Sequence, residues 1–294
     1  MSSSVKLSAA LKALIKSPSA QPGPVPVPSP AATSRLFDGI ARSAATNGVG
    51  STTWLTLSGA ALVTLNSPAT LCALYSYATK DLAPNGDRAD KASHVAAILR
   101  EAGLKSISFS GIPRAINSLG ALRGHLEPEV AAKLSTEPTR EQSPETVAPV
   151  AASARALWTS IYEPHADKLL SKLAESHPDL PVHILSSHYG ALLADPFVAA
   201  PRGHAKLGRV LTSVVAIACL RAQGGVGPQV TSHVFGLRKS IGPSPDGEGS
   251  REAGVEGQEW LASEEGCAWV LEQVDKIVEV VTKGQSSFGT RAKL

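Results

Sequence analysis

The sequence predicts an all-α fold, and three observations carry that prediction. Stretches 147–174, 206–222 and 257–282 place apolar residues three and four positions apart, the spacing of one helical face. The strict alternation of branched residues that marks a half-buried strand is hard to find. Alanine, the residue that costs least in a helix, is abundant. With 294 residues, 43% of them apolar and 18% charged, the chain can bury one large core or two smaller ones.

Helix starts are marked by Ser67-Pro68, Ile112-Pro113 and Gly227-Pro228, because a first-turn proline gives up an N–H that has no helical partner there. Stops are expected at Asn47-Gly48, at Gly103 and at Gly224-Gly225. The longest uncharged run, 48–65, is broken by glycine, serine and threonine, so it predicts a buried helix and no membrane span. Residues 137–150, with Pro138, Pro144 and Pro149, read as an exposed loop whose end overlaps the next helix. This gives a Ser/Pro-rich leader, 1–34, expected not to pack. A helical domain follows at 35–283, with halves of about 35–136 and 151–283, and a flexible tail at 284–294.

Charge is unevenly placed. Residues 1–37 hold Lys6, Lys12, Lys16 and Arg35 and no acid, leaving 24 basic against 25 acidic residues elsewhere. Phe, Tyr and Trp make up 4% of the chain and are scattered, so the stacking platform of a nucleic-acid protein is missing. Cys72, Cys219 and Cys267 are isolated and odd in number, which argues against a disulfide framework or a structural zinc site and for a reducing compartment. No Gly-x-Gly-x-x-Gly or Gly-x-Ser-x-Gly occurs, so no nucleotide-type cofactor and no serine nucleophile is called for.

The two halves repeat weakly. One runs from a helix through Gly111-Ile112-Pro113 to Arg114-Ala115-Ile116-Asn117-Ser118. The other runs from a helix through Gly227-Pro228 to Gln229-Val230-Thr231-Ser232-His233. Superposing Pro113 on Pro228 sets Ser118 opposite His233, as two copies of one hairpin would. These residues resemble the helical hairpin of carboxymuconolactone decarboxylases and of the alkyl hydroperoxidase D-like superfamily, and Gly111 to Asn117 resembles the Gly-x-Pro-x-Ala-x-Asn turn of the decarboxylase branch. The resemblance implies an alkyl hydroperoxidase D-like helical bundle that assembles into homo-oligomers, with a small pocket at the hairpin. His233 matches the histidine of the peroxidase motif, but Gln229 and Val226 stand where its two thiols belong, and Arg209 or Val214 where its glutamate does. Thiol peroxidase chemistry therefore lacks its nucleophile.

The decarboxylase branch implies acid and base work on a small anionic lactone, carbonyl or acyl compound, for which a histidine is the natural proton carrier. His233 is the catalytic candidate, and its alternative is a histidine hydrogen-bonded within a helical interface. Gln229, one turn earlier, is placed to orient it. Arg114 and Asn117 complete a binding pocket if the halves face each other. His188 and Tyr189, beside Gly190, form a second cluster able to bind a carbonyl oxygen, without the further ligands a metal needs. Between Asp195 and Asp246 no carboxylate occurs while Arg202, Lys206, Arg209, Arg221, Arg238 and Lys239 do, so this segment either attracts an anion or pairs with acids on neighbouring helices. A catalytically silent helical ligand-binding or assembly protein is the rival reading.

Both ends look like addresses. Leu7, Leu11, Leu14 and Ile15 share one helical face and Lys6, Lys12 and Lys16 lie off it, as in a mitochondrial transit peptide, or as in a tail with no specific task. The terminal Ala292-Lys293-Leu294 resembles the Ser-Lys-Leu signal read by the peroxisomal import receptor. A peroxisome is the expected location, with a mitochondrion, or both, as the alternative.

Overall fold

A computed structural model describes residues 5–20, 23–196, 201–241, 252 and 254–283. The first half of the chain forms α1 (Ala9–Ile15), α2 (Pro30–Thr46), α3 (Ser51–Thr64), α4 (Pro68–Thr79), α5 (Arg88–Lys105), α6 (Ile107–Ser110), α7 (Ile112–His125) and α8 (Pro128–Ala131). After it come α9 (Pro144–Tyr162), α10 (Ala166–Ser176), α11 (Asp179–His183), a π-helical stretch at Ile184–Leu193, α12 (Arg209–Gln223), α13 (Gly227–Arg238), α14 (Gln258–Leu261) and α15 (Glu264–Thr282). No strand occurs among the described residues, as an all-α chain requires.

Two helices form the centre. Every residue of α3 from Thr53 to Thr64 is buried, and every residue of α12 from Val210 to Leu220. A helix apolar all round has no solvent face to offer, so it must be surrounded. Here α3 and α12 pack on each other, with α5 and α15 against both and α2 and α4 against α3. Each buried leucine of α3, such as Leu55, Leu57 and Leu62, contributes about 1.5–3 kcal/mol. A smaller layer lies outside, where α9 packs on the π-helical stretch around Trp158, Ile161, Tyr189 and Leu193. Helix α13 touches both layers through α12 and α9.

The proline-marked starts fall where expected, at Pro68, Ile112 and Gly227, and α2 and α12 end just before Asn47-Gly48 and Gly224-Gly225. Gly224 and Gly225 have φ of 73° and 75°, a left-handed turn that a side chain would oppose. Gly103 does not stop its helix, because α5 runs on to Lys105. Its role is close approach: a Cβ there would sit 2.8 Å from the Leu119 Cδ2 of α7.

Three expected boundaries also shift. The stretch 147–174 is split by Pro164 into α9 and α10, and 257–282 is split at Ser263, whose hydroxyl accepts from the Gly266 N–H and starts α15. The 137–150 loop ends earlier, at Ser143, because Thr146 Oγ1 accepts the Ser143 N–H at 2.8 Å and begins α9. The leader packs at its C-terminal end: Val25 donates its N–H to the Asn66 carbonyl and accepts from Ser67 Oγ, and Pro30 opens α2. Ahead of that, α1 buries none of its residues and leaves Leu7, Leu11, Leu14 and Ile15 in solvent. Ala292, Lys293 and Leu294 lie outside the described residues.

Candidate functional site

His233 sits in the middle of α13, on the side that faces α9, and is only 4% exposed. Its ring meets Phe109 edge-on at 5.6 Å between centroids and Tyr162 at 6.0 Å. Nε2 lies 3.4 Å from the Tyr162 hydroxyl, which is 2.9 Å from that of Tyr189. Trp158 stacks on Tyr162 at 4.1 Å, meets Tyr189 edge-on, and donates its indole N–H to the Ala166 carbonyl. The other imidazole nitrogen, Nδ1, is buried without a hydrogen-bond partner. A buried polar atom left unpaired carries a desolvation cost of about 1–3 kcal/mol, and His233 shares that condition with Ser118, His188 and others among the described residues.

The electrostatics keep this cluster uncharged. Burial, and after it the Arg209 guanidinium, push the His233 pKa down to about 3, so the ring is neutral at physiological pH. Burial raises both phenols, Tyr189 well above its ordinary value, so both hydroxyls hold their protons. A neutral imidazole with one nitrogen on a tyrosine pair can accept or donate a hydrogen bond at the other.

Arg209 is 2.8 Å from Ser160 Oγ through Nε and 2.7 Å from the Gly236 carbonyl through Nη2. It also donates to Ser213 Oγ and the Ser160 carbonyl. These bonds join α9, α12 and α13, so the arginine that was expected to bind substrate positions the helices around His233 instead. Its pKa falls to about 10 through burial, which leaves the charge in place.

The remaining candidates stand apart from this cluster. Gln229 is exposed on α13. Arg114 donates to the Thr64 carbonyl and Asn117 Nδ2 to Asn66 Oδ1 at 3.0 Å, so both fasten α7 to the turn after α3. His188 is half-buried, 5.1 Å from the His183 ring, with its pKa lowered by burial and by His183, and its Nδ1 has no partner. Of the expected set, the fold joins His233, Tyr189 and Arg209 and leaves out Gln229, Arg114, Asn117 and His188. It adds Phe109, Trp158 and Tyr162, for which the one sequence signal was the four-residue spacing of Trp158 and Tyr162.

The cation-rich segment is largely spent within the protein. Arg221 forms a two-pronged pair with Asp275, Arg202 meets Asp90, and Lys239 reaches the carbonyls of Ile161 and Glu163. Cys219 is fully buried and Cys267 nearly so, the latter raised by burial to about 11, so neither supplies a thiolate. Among the described residues there is no group of three metal-ligating side chains and no helix long and apolar enough to cross a membrane. Clefts at 139–196, 32–280, 132–202 and 97–205 are walled by residues other than His233. Set against protein-family models, curated proteins and solved structures, the chain matches none.

Proposed function

We propose that the chain is a peroxisomal carboxymuconolactone decarboxylase-like protein in which His233 performs acid/base chemistry on a small anionic carbonyl or acyl compound. The carrying observation is the neutral, buried imidazole with one nitrogen on the Tyr162–Tyr189 pair and the other unpartnered. The hairpin likeness supports it: α7 and α13 each begin one residue before a proline, after glycines with φ of 84° and 75°, and the superposed positions Ser118 and His233 are both buried with an unpartnered polar atom. Exposed Ile112 and Ile116 on α7 and Phe235 on α13 offer apolar contacts for a homo-oligomer.

In turnover assays over a panel of lactones and β-keto acids, the wild type converts at least one compound. His233→Gln loses about 10²–10⁴-fold in rate, the usual share of a positioned acid or base. Equal turnover by both proteins removes His233 from the chemistry. A second reading, a silent ligand-binding or assembly scaffold, is favoured by the near-complete burial of the His233 ring. It predicts no turnover of any panel compound by either protein.

Delivery is proposed from Ala292-Lys293-Leu294. A fluorescent fusion placed ahead of the intact C-terminus collects in peroxisomes and, once these three residues are deleted, does not. Import that survives the deletion rules the tripeptide out. Mitochondrial signal from a separate fusion carrying residues 1–34 is the outcome that the basic, apolar-faced α1 would give.

A further inference from the structure

A second binding place lies away from His233, between α5, α7 and the segment leading to α12. There a cleft of about 280 Å³ is floored by Ala97, Leu104, Leu119, Leu122, Leu126 and Ala205, and shares no residue with the Phe109–Trp158–Tyr162–Tyr189–His233 cluster. The floor is dense because α5 and α7 approach closely at Gly103 and Leu119. One wall is held by Gly203, whose φ of 86° and tight seat place a hypothetical Cβ 2.6 Å from the Ser135 N and closer still to the Lys133 carbonyl.

The rim is cationic. Arg100 and Arg123 both line it. Arg100 is held below its ordinary pKa by burial and then by the charge of Arg123, with Glu101 opposing the shift, so the two guanidiniums feel each other's charge. Glu101, the carboxylate on the same wall, is committed to Arg140 in a two-pronged pair. Arg100 makes only long bonds of 3.4 Å to the Ser135 carbonyl, and among the described residues Arg123 has no ion-pair partner. Two like charges over an apolar floor cost free energy that an anion with an aliphatic tail would relieve. Planar carboxylates suit the guanidinium fork.

We propose that this cleft binds an aliphatic monocarboxylate of medium chain length, its tail on Leu104, Leu119 and Leu122 and its head between Arg100 and Arg123. The observation stands whether or not His233 is catalytic.

Calorimetric titration of the full chain tests it. Octanoate binds the wild type at one site, and octanol, which keeps the tail without the charge, binds at least tenfold more weakly. Arg123→Gln, an exposed position in the last turn of α7, weakens octanoate at least tenfold while circular dichroism stays unchanged. Ala205→Phe, which fills the cleft, abolishes binding. No octanoate binding to the wild type, or equal affinity in wild type and Arg123→Gln, overturns the site. Octyl phosphate binding more tightly than octanoate overturns the carboxylate assignment.

Discussion

Lys105→Met destabilises the protein by about 3 kcal/mol, since it removes hydrogen bonds from a charged donor and leaves the Leu193 carbonyl unpaired. The lysine is fully buried, and its ammonium donates to the Leu193 carbonyl and Thr212 Oγ1 at 2.8 Å each, to Asp195 Oδ1 at 3.1 Å, and to the Leu207 carbonyl. Burial lowers its pKa, and the carboxylates of Asp195 and Glu101 oppose that shift. A single side chain thereby closes the end of the π-helical stretch onto the start of α12. Methionine fills the volume and leaves Asp195 and the Leu193 carbonyl without their donor, while the Leu207 carbonyl keeps the Thr212 hydroxyl. The expected fall in Tm is on the order of 10 °C, read by thermal unfolding. The double variant Lys105→Met/Asp195→Asn loses less than the two single losses added together, because the partners act as one unit. A loss under about 1 kcal/mol for Lys105→Met would mean that the ammonium is not held by these acceptors.

Acidification from about pH 7.5 to about pH 5 costs roughly 2 kcal/mol of stability through His233 alone. The sign follows from a folded pKa of about 3 against an ordinary value of 6.5. Between those values the unfolded chain takes up a proton that the folded chain refuses, so stability falls as pH falls and the contribution is fully present only above the unfolded pKa. His233→Phe removes that slope while keeping an aromatic ring against Phe109 and Tyr162. Urea unfolding at several pH values compares the two proteins. Parallel pH dependences would show that the wild-type ring is reached by solvent and protonates as an ordinary histidine does.

Helix class and most helix ends were legible because they depend on local chemistry. Pro68, Pro113 and Pro228 can occupy only a first turn, and Gly224-Gly225 ends α12 by its own backbone freedom. Gly103 misled for the opposite reason: its lack of a side chain serves a neighbour, Leu119, which no local window contains. The site was half legible. His233 and Tyr189 stood out as chemistry-bearing types, but their link runs through Tyr162 on a helix more than 70 residues before His233 in sequence, and only packing sets that link. Arg209 was left between binding an anion and pairing with an acid, since sequence shows charge without showing which hydroxyls and carbonyls take it up. Lys105 gave no signal, because a lysine within a helical pattern ordinarily faces water.

The two central helices, α3 and α12, are each other's packing partners but are separated by 144 residues of chain. At about 5–20 residues per second, a ribosome needs roughly 7–30 s to deliver the second after the first has emerged. During that interval α3 can pack on α2, α4 and α5, and only the face that α12 and α15 cover stays open. The central packing of the fold is thus closed only when α12 and α15, near the end of the chain, have been made.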